Sequence, residues 1–103
     1  MQILAISKLK EGTTPDKIGA VGADEVKHTL EAYLDGKIRN FWFQVNSPGV
    51  VFILESKDED EARQVMDELP LVVAGLMEVE LIPLQPLTPL GTLIGRAFTP
   101  GKN

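Results

Sequence analysis

The chain has 103 residues, a formal net charge of −5 at pH 7 and no cysteine. This length fits one domain, the missing cysteines exclude disulfides and thiolate metal sites, and the negative charge disfavours nucleic acid or anionic lipid as a partner. No segment approaches the roughly 20 apolar residues of a membrane span, and residues 1–6 lack the basic start and cleavage site of a secretory signal. The sequence therefore predicts a cytoplasmic protein with no membrane partner and no nucleic-acid partner.

The first half of the chain predicts a strand, a helix and a hairpin. Residues 2–9 predict a buried strand, because residues 3–6 are apolar on both faces. Thr14 can cap a helix whose first residue is a proline, and Gly36 can end that helix in the left-handed conformation. Residues 37–45 and 50–55 predict two strands joined by a turn. The apolar stripe of the helix consists of Ile18, Val21, Val26, Leu30, Tyr33 and Leu34.

The second half predicts one more helix and one more strand. Residues 57–60 place acidic side chains in the first turn of a helix, where the helix dipole favours them. Pro70 ends this helix. A linker over residues 71–75 then leads to a last strand over residues 76–84.

The resulting order, βαββαβ, is that of a ferredoxin-like α+β domain, an antiparallel sheet of four strands with both helices on one face. The first and third strands are apolar on both sides, so the uncovered face needs a partner, which the sheet of a second copy would supply. We therefore expect a dimeric α+β barrel, as a homodimer or a higher homo-oligomer. The sequence leaves open whether the uncovered face of the third strand carries Val51 and Ile53 or Val50 and Phe52.

Residues 1–84 form the predicted domain, and residues 85–103 form an extended C-terminal arm. Prolines at 86, 89 and 100 exclude a long helix in the arm, yet four of its residues are too apolar for a free end. The arm therefore either crosses to another subunit or folds back on its own domain. Its last residues, 99–103, are expected to be the least ordered part. The four apolar residues are Leu87, Leu90, Leu93 and Ile94.

Glu25 and His28 are the candidate catalytic residues. They lie three positions apart on the predicted helix and so project from the same side. A carboxylate beside an imidazole can transfer protons, although a solvated pair on the helix flank is the alternative. The chain has no second histidine, no phosphate-binding glycine loop and no serine elbow, so neither a metal nor a cofactor is predicted.

Arg39, Trp42 and Tyr33 are the candidate substrate-binding residues. The guanidinium of Arg39 can hold a carboxylate through two parallel hydrogen bonds, which suits a small acidic molecule. The alternatives are an ion pair of Arg39 with Glu78 or Glu80 on a neighbouring strand, and core positions for both aromatic residues. With strict alternation along the strand, Arg39 shares one face of the sheet with Phe41 and Phe43. Asn40 then shares the other face with Ile38 and Trp42.

Two motifs resemble the muconolactone isomerase family. Gly36, Lys37, Arg39 and Trp42 match a stretch that opens the second strand in that family, and Leu69-Pro70-Leu71 precedes the last strand. The resemblance implies a dimeric ferredoxin-like barrel with a pocket between helices and sheet, closed by a neighbour's C-terminal segment. It also implies a cofactor-independent reaction that shifts a double bond in a small acidic lactone by moving a proton from one carbon to another.

We therefore interpret the chain as an isomerase-like enzyme that acts on a small acidic lactone or enol. In this interpretation Glu25 or His28, which correspond loosely to an acid and a histidine of the family, shuttles a proton, and Arg39 anchors a substrate carboxylate. Residues 86–90 replace the tail of the characterised isomerases, so the substrate stays open. The same barrel hosts cofactor-independent monooxygenases and non-catalytic dimers, which leaves a monooxygenase and a small-molecule binding or assembly module as alternatives.

Overall fold

The computed structural model describes residues 1–97 and confirms the predicted ferredoxin-like α+β fold. The strands and helices follow one another in the predicted order, with one additional short helix before the last strand. A 3₁₀ helix, Thr88–Ile94, comes after that strand. In chain order the elements are β1 (Gln2–Leu9), α1 (Pro15–Leu34), β2 (Ile38–Phe43), β3 (Val50–Glu55), α2 (Glu59–Asp67), α3 (Pro70–Val73) and β4 (Met77–Pro83).

The four strands form one antiparallel sheet in the order β2-β3-β1-β4. The strand β1 is therefore central and pairs with both β3 and β4, whereas β2 and β4 are the two edges. Because β2 and β4 lie at opposite edges, no side chain on β2 has a neighbour on β4. This order is the one that two βαβ halves produce when they interleave in a ferredoxin-like domain.

The ends of the helices are fixed by the residues that the sequence indicated. The Thr14 side chain accepts a hydrogen bond of 3.4 Å from the Lys17 amide at the start of α1. Asp58 accepts one of 2.8 Å from the Glu61 amide at the start of α2. Gly36 has a φ of 78°, which a residue with a side chain rarely adopts, so it turns the chain from α1 into β2.

The core lies between the sheet and α2, and α1 contributes no buried residue to it. In β1 and β3 the residues on the helix side are buried, and Ala62 and Met66 of α2 pack against them. The predicted apolar stripe of α1 stays largely open: Val26 and Leu30 are about half exposed and Leu34 is 80% exposed. Two helices thus share one face of the sheet, but only α2 closes onto it. The core residues are Ile3, Ala5, Ile38, Phe52, Leu54, Ala62, Met66, Leu69 and Met77.

Two local expectations are wrong. Residues 71–73 of the predicted linker are helical, because Pro70 begins the short helix α3 instead of only ending α2. Strict alternation also fails in β2, where a β-bulge lies between Ile38 and Asn40. The extra residue puts Ile38 on the helix side of the sheet with Phe41, and puts Asn40 on the opposite side.

The face of the sheet opposite the helices carries Val51 and Ile53, which answers the question that the sequence left open. These two residues pair with Ile6 and Leu4 of β1, whose neighbours in sequence are buried under the helices. Four half-buried aliphatic side chains therefore lie together in the middle of a face that no other element among residues 1–97 covers.

Residues 85–97 leave the sheet after the Leu84 amide donates its 2.9 Å hydrogen bond to the Gln2 carbonyl. The four apolar residues of this segment are between 54% and 80% exposed within the single chain. The prediction of low order for residues 99–103 lies outside the described residues. Which surface receives the C-terminal arm stays a prediction.

Candidate functional site

A cleft of about 500 Å³ lies between α1 and the sheet. It exists because α1 does not close onto the strands below it. One wall consists of α1 residues, and the other consists mainly of aromatic side chains from β2 and β3. The size is typical of a pocket for a small organic molecule. The lining residues are Ile18, Gly22, Glu25, Val26, Thr29, Leu30, Phe41, Trp42, Phe43, Val50, Phe52, Leu71 and Met77.

Glu25 is the ionisable side chain of this lining. Its Oε1 accepts a 2.9 Å hydrogen bond from the main-chain amide of Leu71. Burial raises the pKa of the Glu25 carboxyl, because the charged form loses water there, and the Leu71 amide, the positive field of His28 and the Thr29 hydroxyl act in the opposite direction. Glu25 is thus a partly desolvated carboxyl group held in a fixed orientation.

The amide that holds Glu25 is available because of the Leu-Pro-Leu segment. Leu69 has an extended backbone, with φ −63° and ψ 132°, and Pro70 occupies the first position of α3. The first amides of any helix have no acceptor within the helix. The Leu71 amide is one of these, and α1 brings the Glu25 carboxylate to it.

His28 does not share the cleft with Glu25. Its ring is exposed, and Nδ1 lies 3.0 Å from the Asp24 carbonyl oxygen in the preceding turn of α1. The ring borders a smaller hollow of about 90 Å³ between α1 and α2, next to Val65 and Glu68. The two candidate catalytic residues are therefore close enough for their charges to interact but face different spaces.

Arg39 also lies away from the cleft, at the β2 bulge. Its Nη1 would lie 3.7 Å from a Cβ atom added to Gly36. The N-terminal amino group, which donates a 2.7 Å hydrogen bond to Glu55, is the main cause of the lowered pKa of that carboxyl, and the charge of Arg39 adds a smaller effect. The alternative of an ion pair with Glu78 or Glu80 is wrong, because those residues lie on the opposite edge strand. Glu78 pairs with Lys8 at 3.2 Å instead.

The two candidate aromatic residues are about half exposed, so neither belongs to the core of a single chain. Trp42 borders the cleft at the edge strand β2, but it pairs with Val51, so its side chain belongs to the opposite face of the sheet. Tyr33 packs edge-on against Phe41, with ring centroids 6.2 Å apart and planes at 80°. Tyr33 thus packs against Phe41, a residue that lines the cleft.

Sequence reasoning missed three contributors to the cleft. Thr29 could have been found, because it lies four positions after Glu25 and therefore on the same side of α1. The pair Phe41 and Phe43 could have been found only with knowledge of the bulge. The Leu71 amide has no signature in the sequence, since every residue except proline carries an amide.

Among residues 1–97, no helix is long and apolar enough to cross a membrane. The same described residues contain no group of three or more His, Asp or Glu side chains arranged to hold a metal ion.

A family model described as muconolactone delta-isomerase matches residues 3–88. The chain belongs to the muconolactone delta-isomerase family. The match covers all four strands and all three α-helices, including the Glu25 position and the Leu71 amide. No curated protein sequence matches the chain significantly.

Two solved structures share the fold of this family member. One is 5-chloro-2-hydroxyhydroquinone dehydrochlorinase from Burkholderia phenoliruptrix AC1100, with a TM-score of 0.69 and 18% identity, over 82% of this chain and 94% of that protein. That enzyme was solved in complex with 2,5-dihydroxybenzoquinone. The other is muconolactone isomerase, with a TM-score of 0.68 and 19% identity, over 84% of this chain and 93% of that protein.

Proposed function

We propose that this chain is an isomerase-like enzyme that moves a proton between two carbons of a small unsaturated lactone or enol, with Glu25 as the group that carries the proton. The observation that carries the proposal is the partly desolvated Glu25 carboxyl group, fixed by the Leu71 amide at the wall of an apolar cleft. Membership of the muconolactone delta-isomerase family supports the reaction class.

One carboxylate is sufficient for this chemistry. In the first step Glu25 takes a proton from a carbon next to a carbonyl group, and the electron pair of the broken C–H bond moves into an enolate. In the second step the Glu25 carboxylic acid returns the proton to the far carbon of the conjugated system, and the double bond shifts. Atoms and electrons balance within the substrate, and Glu25 is regenerated, so the reaction needs no co-reactant.

The environment of Glu25 suits the first step. A carboxylate with a raised pKa is a stronger base than one in water. Its pKa therefore lies closer to that of the weakly acidic C–H group from which it takes the proton. The Leu71 amide engages Oε1 and orients the carboxylate.

The similar structures support the size of the substrate. The dehydrochlorinase holds 2,5-dihydroxybenzoquinone, a small oxygenated ring, and the other enzyme is named for a lactone. A cleft of about 500 Å³ accommodates a ring of this size. We place the reaction in the cytoplasm, in a homodimer or larger homo-oligomer that covers the open face of the sheet.

The test is an ultraviolet absorbance assay of unsaturated lactones and small enols with matched variants. Glu25→Gln keeps the size of the side chain and should lower turnover by roughly 10²- to 10⁴-fold. His28→Ala should stay near the wild-type rate, because His28 lies outside the cleft. Glu31→Gln is the control, since it removes the same charge from an exposed position on α1.

The outcomes separate the two main interpretations. Turnover that survives Glu25→Gln would remove Glu25 from the mechanism. Compounds that bind the cleft but never react would make the chain a binding module. Incorporation of solvent deuterium at the new C–H bond, measured by proton NMR, would identify the proton transfer itself.

A further inference from the structure

The cleft contains no positively charged side chain from residues 1–97. Its polar side-chain groups are the Glu25 carboxyl and the Thr29 hydroxyl. The nearby basic residues lie outside the cleft. Arg39 lies at the β2 bulge beside Gly36, and Lys37 borders hollows next to α2.

A bound anion would therefore be unfavourable in this cleft. An ionised group that leaves water needs an opposite charge or several hydrogen-bond donors to compensate for its lost hydration. The cleft already holds one carboxyl group, whose main-chain donor, the Leu71 amide, is occupied by it. A substrate carboxylate would meet the Glu25 charge and find no cation.

The walls of the cleft favour a flat ring. Phe41 and Phe43 of β2 lie on the helix side of the sheet and border the cleft together with Phe52 of β3. Aromatic faces and edges bind planar rings through stacked and edge-to-face contacts. The few polar groups suffice to orient a carbonyl or hydroxyl group on such a ring.

We infer that the ligand of this cleft is an uncharged, flat, oxygenated ring compound, and that ring compounds with a carboxylate side chain are poor ligands. This inference rests on the proposed function for the location of the substrate, but it concerns binding and not reaction. It differs from the acidic lactone that the sequence resemblance implies.

The inference is tested with phenylacetate and its methyl ester, which share a ring and differ in charge, and neither has a double bond that the proposed reaction would shift. Isothermal titration calorimetry measures the two affinities. The ester should bind at least tenfold more tightly than the acid at pH 7.5. Equal affinity, or tighter binding of the acid, would overturn the inference. If Arg96→Gln then removed the preference for the acid, the cation would come from the C-terminal segment.

A cation placed in the cleft should reverse the preference. Leu30 lines the cleft and is 48% exposed, so Leu30→Lys should shift the ratio of affinities toward the acid by at least tenfold. Leu34→Lys is the matched control, because Leu34 is on the same helix, is 80% exposed and lies outside the lining. A control that shifts the ratio as much as Leu30→Lys would mean that binding occurs elsewhere, and the inference would fall.

Failure of the inference and failure of the proposed function give different results. A preference for the ester with no turnover of any lactone or enol refutes the function and keeps the inference. Rapid turnover of an acidic lactone, with tight binding of phenylacetate, keeps the function and refutes the inference.

Discussion

The main-chain amide of Leu71 donates a 2.9 Å hydrogen bond to Oε1 of Glu25 across 46 positions of sequence. This bond joins the middle of α1 to the short helix α3, and residues of both elements line the cleft. The same contact therefore positions α1 over the sheet and orients the carboxyl group that we place in the reaction.

The raised pKa of Glu25 predicts how stability depends on pH. Between pH 4.5, which is the ordinary pKa of this carboxyl group, and its higher pKa in the folded protein, folded Glu25 binds more protons than unfolded Glu25. The contribution of this group to the free energy of unfolding therefore falls as pH rises through that window. Glu25→Gln should lack this fall. The slopes of the free energy of unfolding against pH should differ between wild type and Glu25→Gln by no more than about 1.4 kcal/mol per pH unit.

Urea denaturation of both proteins between pH 4 and pH 8 measures this difference. Glu31→Gln controls for the loss of one negative charge from α1. A difference between wild type and Glu25→Gln that stays constant over this range would show that the pKa of Glu25 is not raised.

Two glycines should respond in opposite ways to alanine. A Cβ atom added to Gly49 would collide with the main-chain carbonyl oxygen of Ser7, whose hydroxyl group already bonds the Val50 amide and carbonyl at 2.8 Å each. Gly49→Ala should therefore cost about 1–3 kcal/mol of stability. Gly19 lies in α1 with no atom within 4 Å of an added Cβ, so Gly19→Ala should add about 1 kcal/mol. Thermal unfolding of both variants checks the signs, and two shifts in the same direction would contradict the prediction.

The sequence predicted the parts of the fold that depend on neighbouring residues. The cap at Thr14 and the left-handed Gly36 are local features, and both were predicted correctly. The bulge at Arg39 was not, because an extra residue in one strand can be recognised only against the partner strand. That single residue changes which aromatic side chains of β2 face the helices.

The candidate site shows the same division. Glu25 was predicted from its side chain and its place on the helix. Its hydrogen-bond partner was not, because a main-chain amide 46 positions away has no side-chain signature. The gap between α1 and the sheet could not be predicted from the apolar stripe of α1, which is typical of a helix that packs closely, and only the family resemblance implied a pocket there.

The open face of the sheet predicts that the chain is not a monomer. Ile53 lies on this face, paired with Leu4, and a charge there would disrupt a second sheet packed against it. Burial of each such aliphatic side chain contributes about 1.5–3 kcal/mol. Light scattering should give a mass above 11.3 kDa for wild type and about that mass for Ile53→Lys. The control is Val73→Lys, at a residue of α3 that is 73% exposed, and it should keep the wild-type mass. Monodisperse wild type at 11.3 kDa would refute the barrel.

The last prediction concerns the C-terminal segment, whose four apolar residues, including Leu87 and Leu93, are more than half exposed in the single chain. Such side chains contribute stability only if a surface covers them, and we expect that surface to be another subunit near the mouth of the cleft. Truncation after Leu84 keeps the hydrogen bond to Gln2 and should either lower the mass of the assembly or weaken binding of methyl phenylacetate. Truncation after Ala97 is the control, because it retains all four apolar residues. If truncation after Leu84 leaves the mass of the assembly, the melting temperature and the affinity unchanged, the segment does not cross to another subunit.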